Sequence, residues 1–426
     1  MKRMENTRTM KYAVYTLGCK VNQYETQAVE TMLRARGFVP AEDEPADVIL
    51  VNTCAVTAES GRKSRQAIRR LQKENPGALT AVCGCFSQLE PEAVKALGAD
   101  IVFGSGEKEK LVEAIAAALP AVEIDDPFRR RYFEPLPAGA AAGRTRALMK
   151  IQDGCRTFCT YCVIPYTRGR IRSLPLELCA SQAAGLAAEG FREIVVTGIE
   201  IASYGLDLPG KPGLADAVEV IARAAPKSRI RLGSLEPTVV TEDFCRRLGA
   251  LGNVCPHFHL SLQSGCDDTL CRMNRKYDTA AFLECCDRLR ARFPDCALTA
   301  DLICGFPGEN EDDFQTTLAF LEKVGFLFVH AFPYSRRPGT KAADMPGQLP
   351  RGEKEERVRR AGEVIRRMQR AYLERQVGKT LPVLLENAHE GHSGNYCPVR
   401  TETAYPRGSV QNIQILAVEG ERLLGK

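Results

Sequence analysis

The length, composition and charge of the chain exclude several classes of protein. Its 426 residues are 44% hydrophobic and 26% charged, which is ordinary for a globular protein and long enough for two to four domains. No apolar run approaches the ~20 residues of a membrane helix, and the start, MKRMENTRTMKYAVY, lacks the apolar core of a signal peptide. We therefore expect a cytoplasmic protein without a membrane partner. The net charge of +5 is too small by itself to indicate a nucleic-acid partner.

Cysteine is the most informative residue type in this sequence. The 17 cysteines are an odd number in a long chain without secretion signals, which favours metal binding or catalysis over disulfides. Cys155, Cys159 and Cys162 form a C-x3-C-x2-C run. Soft thiolates suit zinc or iron–sulfur clusters, and closed sites of both kinds use four ligands. Three thiolates without a nearby fourth predict a metal position open to another ligand; a zinc site or three core cysteines are the alternatives.

The first 120 residues alternate short apolar strands with helical stretches. Strands are predicted at 12–17, 47–51, 79–82 and 99–103, and helices at 24–36, 58–73 and 108–119. Such alternation is typical of a parallel sheet with helices on its faces. The sequence therefore predicts an amino-terminal parallel α/β domain.

A second group of three cysteines follows the strands of this sheet. Cys19, Cys54 and Cys85 each lie in a strand-to-helix loop, where parallel α/β sheets form their sites. Cys83 competes with Cys85, but alternation points Cys83 into the sheet packing, and Gly84 frees the backbone to turn at Cys85. The alternative is that all are buried cysteines that act as small hydrophobic residues. Their recurrence at one topological place favours a second three-thiolate site.

The central region repeats a strand and a helix about every thirty residues. Strands are predicted at 147–151, 193–199, 229–235, 257–262, 297–304 and 326–332, with helices near 176–189, 214–224, 241–251, 279–293 and 310–324. Six such units predict an open (βα)6 barrel. Barrels of this kind keep their sites at the carboxyl ends of the strands, so the run at 155–162 is expected at that rim.

Polar residues and glycines also end the other barrel strands. The candidates for contacts with a cofactor at this rim are Gly198, Glu200, Glu236, Gln263, Ser264, Asp301, Gly305 and Gly308. The alternative for each is ordinary turn chemistry, since Gly, Asp and Glu end strands and cap helices generally.

The carboxyl-terminal region begins with a basic helix and ends in short strands. Residues 351–376 predict a helix whose apolar stripe is Ala361, Val364, Ile365, Met368 and Tyr372. Its exposed arginines, Arg359, Arg366, Arg367 and Arg370, indicate a solvated face, with RNA contact as the alternative. Strand-like runs at 380–386, 394–400 and 409–418 predict a small antiparallel barrel, a fold that often binds oligonucleotides.

The motifs taken together resemble the radical S-adenosylmethionine (SAM) methylthiotransferase family. They are TLGCKVNQYE, NTC, GC-x-x-Q and C-x3-C-x2-C, in that order, and Tyr161 matches the aromatic residue that the superfamily carries before its third cysteine. The resemblance implies four segments: a cluster domain at 1–122, a linker at 123–144, a radical-SAM barrel with its trailing helix at 145–375 and a TRAM-like β-barrel at 376–426.

The resemblance also implies a reaction and its residues. Cys155, Cys159 and Cys162 would hold a 4Fe–4S cluster that binds SAM, and Cys19, Cys54 and Cys85 an auxiliary 4Fe–4S cluster; these six are the expected catalytic cysteines. SAM or substrate contacts are expected from Tyr161, Gly198, Glu200, Glu236 and Gln263. The expected product is the 2-methylthio derivative of N6-threonylcarbamoyladenosine.

The expected substrate partner is the tRNA anticodon stem-loop. Lys20, Val21 and Asn22 carry this substrate assignment. The alternative substrates are isopentenyladenosine in tRNA and an aspartate of a ribosomal protein. A non-catalytic RNA-binding protein that contains zinc is the alternative to an enzyme. An electron-donor protein and a sulfur source complete the partners, and no motif in the sequence identifies either.

Overall fold

The computed structural model describes residues 9–42, 44–137 and 144–426, which form two compact units. The first unit takes the described residues of Met1–Gly139 together with Gly154–Arg156 and Cys162–Arg170. The second takes those of Ala140–Asp153, Thr157–Tyr161 and Ile171–Lys426. The domain boundaries expected from the sequence stay predictions.

The first unit is built on a six-stranded parallel sheet with the order β2-β1-β3-β4-β5-β6. Its strands are β1 (Lys11–Thr16), β2 (Val39–Pro40), β3 (Val48–Thr53), β4 (Leu79–Gly84), β5 (Ile101–Phe103) and β6 (Ala121–Glu123). Its helices are α1 (Lys20–Ala35), α2 (Ala58–Glu74), α3 (Cys85–Leu89), α4 (Pro91–Lys95), α5 (Lys108–Ala117) and α6 (Ile164–Arg168). The predicted parallel α/β class is confirmed; the sequence missed the short β2, β6, α3 and α4.

Strand β3 explains why this sheet is covered on both faces. All six of its residues are buried. Val48 and Leu50 pack in the core on one face, and Ile49 and Val51 pack in the core on the other. A strand with apolar side chains on both faces is typical of a parallel sheet between helical layers.

The second unit begins with a series of six parallel strands. The strands of this region are β7 (Arg146–Asp153), β8 (Arg172–Ser173), β9 (Glu193–Gly198), β10 (Arg229–Leu232), β11 (Ser234–Leu235), β12 (His257–Gln263), β13 (Ala297–Cys304) and β14 (Phe328–Pro333). They form two sheets, β10-β9-β7-β8 and β11-β12-β13-β14. Only Gly233 separates β10 from β11 in the chain, so these two segments count as one of the six strands. Strand β8 is antiparallel to β7 and lies outside the series.

Helices alternate with these strands and then lead to the tail. They are α7 (Leu176–Ala188), α8 (Leu214–Ala224), α9 (Glu242–Gly249), α10 (Asp267–Arg272), α11 (Thr279–Arg292), α12 (Glu311–Val324) and α13 (Arg351–Glu374). The open (βα)6 class predicted from the sequence is confirmed. The predicted stripe of α13 is buried as expected.

The last fifty residues close into a five-stranded barrel with the order β15-β16-β17-β19-β18. The strands are β15 (Thr380–Leu385), β16 (Glu390–Ser393), β17 (Pro398–Thr401), β18 (Val410–Glu419) and β19 (Arg422–Gly425). The single strand predicted over 394–400 is wrong, because a turn at 394–397 separates β16 from β17. The barrel is antiparallel except for β17 and β19, which pair in parallel.

A buried ion-pair network joins this small barrel to the six-stranded region of the same unit. Glu193 on β9 is fully buried and pairs with Arg146, Arg229 and Arg231. Arg229 Nη2 also donates to the main-chain oxygen of His392, at 2.8 Å. Burial alone would raise the pKa of Glu193, but the three arginines lower it to about 2. The carboxylate is therefore held charged at the junction.

Among the described residues, no helix is long and apolar enough to cross a bilayer.

Candidate metal and cofactor site

The three strand-end cysteines lie at one edge of the first unit's sheet. Cys19 is the N-cap residue of α1, Cys54 directly follows β3, and Cys85 begins α3 after β4. Strands β1, β3 and β4 are neighbours in the parallel sheet, so their carboxyl ends meet at the same edge. Burial, followed by the nearby Cys85 and Cys19 thiols, raises the pKa of Cys54 to about 11. The structure therefore brings the three predicted cysteines together.

Glycines next to these cysteines allow the close approach. Gly84 has φ +108°, and a Cβ there would lie 2.5 Å from the Thr53 main-chain oxygen. Gly18 has φ +105°, and a Cβ there would lie 3.0 Å from the Cys54 sulfur. Both backbones occupy a region that L side chains rarely adopt. The turn into each cysteine loop thus depends on glycine.

Cys83 and Cys85 occupy different environments. Cys83 is on β4 and packs in the core on one face of the sheet with Leu50 and Ala81, whereas Cys85 lies beyond the strand end and packs in the core on the other face with Phe86. This placement agrees with the alternation expected along the strand. The choice of Cys85 as a ligand stays a prediction.

Asn22 connects the two strand ends that carry Cys19 and Cys54. Its Nδ2 donates to the main-chain oxygens of Leu17, at 2.8 Å, and Thr53, at 2.9 Å. Its Oδ1 accepts a hydrogen bond from Arg168 Nη2 at 2.8 Å. The substrate assignment rests on Lys20, Val21 and Asn22. Of these, Asn22 stabilises the loops that carry Cys19 and Cys54.

Arg168 is the buried cation of this region. It is fully buried in an ion pair with Glu25, which is also buried. Desolvation raises the pKa of the Cys19 thiol, and Arg168 acts in the opposite direction. The arginine therefore favours the thiolate, the form in which cysteine binds metal.

The first and third cysteines of the run lie on turns within the first unit. The Cys155 amide donates to the Gly169 main-chain oxygen at 3.0 Å, and the Cys162 sulfur accepts from the Ile164 amide at 3.4 Å. Gly154 has φ +77°, and a Cβ there would lie 1.8 Å from the Arg170 main-chain oxygen. Backbone contacts therefore fix the chain at Cys155 and at the residue before it.

The middle cysteine of the run contacts an arginine within the second unit. Arg275 Nη1 donates to the Cys159 sulfur at 3.1 Å, while its Nη2 pairs with Glu236 Oε1 at 2.6 Å. The next residue, Thr160, is held by the main-chain oxygens of Met273, at 3.1 Å, and Arg272, at 2.9 Å. Sequence reasoning found Glu236 but missed Arg275, because 116 residues separate it from Cys159 and no local pattern marks the contact.

The other predicted rim residues have individual structural contacts. Tyr161 packs edge-on against Phe306, with ring centroids 6.3 Å apart. A Cβ on Gly198 would lie 2.8 Å from the Gln152 main-chain oxygen, and the Glu200 amide donates to Gln152 Oε1 at 2.7 Å. Gln263 has φ 66° at a register irregularity of β12. The predicted cofactor contacts of these residues stay predictions.

Three further rim residues hold the local backbone or a neighbouring side chain. The Ser264 hydroxyl lies 3.4 Å from the Thr317 hydroxyl, Asp301 Oδ2 lies 3.3 Å from His259 Nε2, and the Gly305 amide donates to Glu309 Oε1 at 2.9 Å. Gly308 has φ +78°. These contacts are those of turns and local packing, and a role of the four residues at the cofactor site stays a prediction.

Most of the exposed arginines of α13 pair with carboxylates. Arg359 pairs with Glu356 and Glu363, Arg367 with Glu322, and Arg370 with Glu374. These contacts are those of a solvated helix face. RNA contact by this helix stays a prediction.

The thiol donors of both groups fit an iron–sulfur cluster by chemical type. Each group offers three cysteines, the ligand that holds such clusters. As they stand, no three His, Cys, Asp or Glu side chains of the described part of the chain are arranged to hold a metal ion. Metal binding deprotonates thiols and is coupled to local folding. We therefore expect the cysteines of each group to move into coordinating positions when the metal binds.

Comparisons with known proteins agree with this fold and site. Residues 149–321 match the radical SAM superfamily, and residues 11–104 match a family described as uncharacterized protein family UPF0004. The radical SAM methyltransferase TsrM of Kitasatospora setae superposes with a TM-score of 0.56 at 17% identity, over 79% of this chain and 77% of that chain. The fold and the cysteine run thus define a radical-SAM protein.

Curated relatives narrow this class to a family. The threonylcarbamoyladenosine tRNA methylthiotransferase MtaB of Chlamydia pneumoniae is 36% identical, over 97% of both chains. Its counterpart in Thermotoga maritima is 39% identical, over 88% of this chain and 86% of that protein. The tRNA-2-methylthio-N(6)-dimethylallyladenosine synthase of Symbiobacterium thermophilum is 35% identical, over 89% of this chain and 84% of that protein. The chain belongs to the radical-SAM tRNA methylthiotransferase family and is a transferase.

Proposed function

We propose that this enzyme converts N6-threonylcarbamoyladenosine, next to the tRNA anticodon, to its 2-methylthio derivative, with two 4Fe–4S clusters and two molecules of SAM. Cys155, Cys159 and Cys162 would hold the cluster that binds SAM. The cysteines of the first unit's sheet edge, Cys19, Cys54 and Cys85, would hold the second cluster.

The observation that carries this proposal is the second cysteine group. Radical formation alone requires one cluster, and the run at 155–162 provides for it. Cys19, Cys54 and Cys85 add three more thiols at the ends of adjacent strands, where α/β sheets place their sites. A second three-thiolate site supports delivery of sulfur in addition to radical formation.

When bound, the clusters and SAM supply radical chemistry that removes a hydrogen atom from carbon, together with the sulfur and methyl group that replace it. The chain's own residues place the ligands. Asn22 holds the Cys19 and Cys54 loops, and Arg275 donates to the Cys159 sulfur. Each group of three thiolates would leave one iron of its cluster without a protein ligand, and the predicted rim residues, which end the strands of the second unit, would contact SAM.

Unpaired RNA is the expected form of the substrate. A paired adenine hides its edge, and proteins read RNA sequence mainly in single-stranded loops. The small carboxyl-terminal barrel supports this assignment, because barrels of this kind often bind oligonucleotides.

The threonylcarbamoyl substrate rests on the curated relatives and on the TLGCKVNQYE motif. Relatives named for this substrate are 36% and 39% identical, and the Symbiobacterium thermophilum enzyme, named for the dimethylallyl substrate, is 35% identical. Because these sequence identities differ so little, the dimethylallyl nucleoside is the second candidate substrate.

Mass spectrometry of tRNA nucleosides from cells with and without the gene tests the substrate. Loss of 2-methylthio-N6-threonylcarbamoyladenosine on deletion, restored by the wild-type gene, supports the proposal. Loss of the dimethylallyl derivative instead would assign the second candidate. No change in either nucleoside would contradict both.

A further inference from the structure

The segment that the sequence analysis treated as a linker is anchored on the first unit. Arg130 pairs with Asp125 and donates to Ser105 Oγ at 2.8 Å and to Gln88 Oε1 at 2.9 Å. The Leu136 main-chain oxygen accepts from Tyr24 at 2.8 Å. Described residues 125–137 of this segment are therefore a fixed part of the unit's surface.

The same segment packs against the chain that follows the cysteine run. Arg170 Nε donates to the Phe128 main-chain oxygen at 3.0 Å, and the rings of Phe128 and Tyr166 meet edge-on, with centroids 6.4 Å apart. Gly169 has φ +70°, and a Cβ there would lie 1.9 Å from the Pro127 main-chain oxygen. Because Gly169 also accepts the hydrogen bond of the Cys155 amide, the segment lies beside the first cysteine of the run.

The residues that point outward are aromatic and basic. Tyr132 is 88% exposed and Tyr166 is 42% exposed. Among residues 125–132, 154–156 and 162–170, the exposed charged residues are four arginines and one aspartate: Arg129, Arg131, Arg156, Arg170 and Asp126. This surface thus combines aromatic rings with an excess of positive charge.

Single-stranded RNA matches this chemistry. Unpaired bases stack on aromatic side chains, each stack contributing ~1–3 kcal/mol, and arginines neutralise phosphates. A surface held by hydrogen bonds before binding loses little conformational entropy on association.

We propose that Phe128, Arg131, Tyr132, Tyr166 and Arg170 form a binding surface for unpaired RNA next to the cysteine run. Tyr132 stacks on a base that flanks the target nucleotide, and Arg131 and Arg170 contact the adjoining phosphates. The proposal rests on the proposed function, because it assumes an RNA substrate, and it assigns part of the RNA path to the first unit.

Equilibrium binding of a labelled RNA stem-loop with an unpaired loop tests this surface in the full chain. Tyr132→Ala is expected to lower the affinity about tenfold, while Tyr132→Phe retains it because the ring still stacks. Arg131→Gln is expected to lower the salt dependence of binding by about 0.7, the contribution of one phosphate contact on a single strand. Affinity for a fully paired RNA of the same length should change less than twofold on Tyr132→Ala.

Matched controls exist on the same unit. Leu119 is 63% exposed, and Arg69 is exposed on α2, so Leu119→Ala removes an exposed apolar side chain and Arg69→Gln an exposed guanidinium elsewhere on the unit. Wild-type affinity in Tyr132→Ala and Arg131→Gln, or equal losses in the two controls, would overturn this proposal alone. Failure of the wild-type protein to bind the stem-loop would overturn it together with the proposed function.

Discussion

Arg275 donates a hydrogen bond to the sulfur of Cys159, at 3.1 Å, and the same guanidinium pairs with Glu236 at 2.6 Å. Arg275 is almost fully buried, since its side chain is 4% exposed. A charged donor held against a cysteine sulfur stabilises negative charge on that sulfur. We infer that Glu236 acts on the cysteine run through Arg275, as a positioning residue.

Removal of this donor should change the reduction potential of the cluster at the run. Arg275→Gln is expected to lower the midpoint potential by about 60 mV, which corresponds to roughly 1.4 kcal/mol for one electron. The change follows because the reduced cluster carries more negative charge and gains more from the hydrogen bond. Potentiometric titration followed by electron paramagnetic resonance measures it.

The neighbouring Arg272 supplies the control for this measurement. Its guanidinium pairs with Asp313 at 3.1 Å, so Arg272→Gln removes an equal charge close by in the chain. Equal potentials in Arg275→Gln and the wild-type protein, at equal iron content, would contradict the role given to Arg275.

The choice between Cys83 and Cys85 is open to direct measurement. Cys85→Ala is expected to reduce the iron content of the reconstituted protein by about four irons per chain, the content of one 4Fe–4S cluster. Cys83→Ala should retain the iron, because Cys83 lies within β4 and packs on the face of the sheet opposite to Cys85. Iron analysis that gives the reverse result would assign Cys83 as the ligand.

Gly84 should be intolerant of any side chain. A Cβ there would lie 2.5 Å from the Thr53 main-chain oxygen, and φ is +108°. Gly37 has a similar φ of +87° with no atom within 4 Å of a Cβ, so Gly37→Ala carries the backbone strain without the collision. Gly84→Ala should therefore cost about 1–3 kcal/mol more than Gly37→Ala in urea unfolding. Equal losses would mean that the loop moves freely to accept the methyl group.

The junction between the small barrel and the six-stranded region should weaken in acid. Burial, followed by Arg146 and Arg231, lowers the pKa of His392 to about 4. An unfolded histidine titrates near ~6.5, so between these values the unfolded chain binds a proton that the folded chain does not, and stability falls as the pH falls. The loss stays below roughly 1.4 kcal/mol per pH unit for one group.

Thermal unfolding of the metal-free protein at several pH values checks this expectation. The wild-type protein should lose more stability than His392→Gln as the pH falls from 7 to 5. Parallel pH profiles of the two proteins would contradict the assignment to His392.

The sequence predicted those features that local patterns encode. The six strands from β7 to β14 and the helices between them follow the apolar periodicity, and the three loop cysteines follow from strands that end beside them. The contact of Arg275 with Cys159 spans 116 residues and leaves no local pattern. The anchoring of 125–137 depends on hydrogen bonds such as Arg130 with Gln88, which join residues far apart in the chain. The turn at 394–397 was missed because strands as short as β16 and β17 show little alternation.

We propose that two cysteine groups divide the reaction, one for radical formation and one for sulfur delivery. The most direct test measures 5′-deoxyadenosine and the methylthio nucleoside in one reaction of the reconstituted enzyme with SAM and tRNA. Cys54→Ala should still cleave SAM to 5′-deoxyadenosine but form no methylthio product, whereas Cys159→Ala should lose both. A methylthio product from Cys54→Ala, or SAM cleavage by Cys159→Ala, would contradict the account.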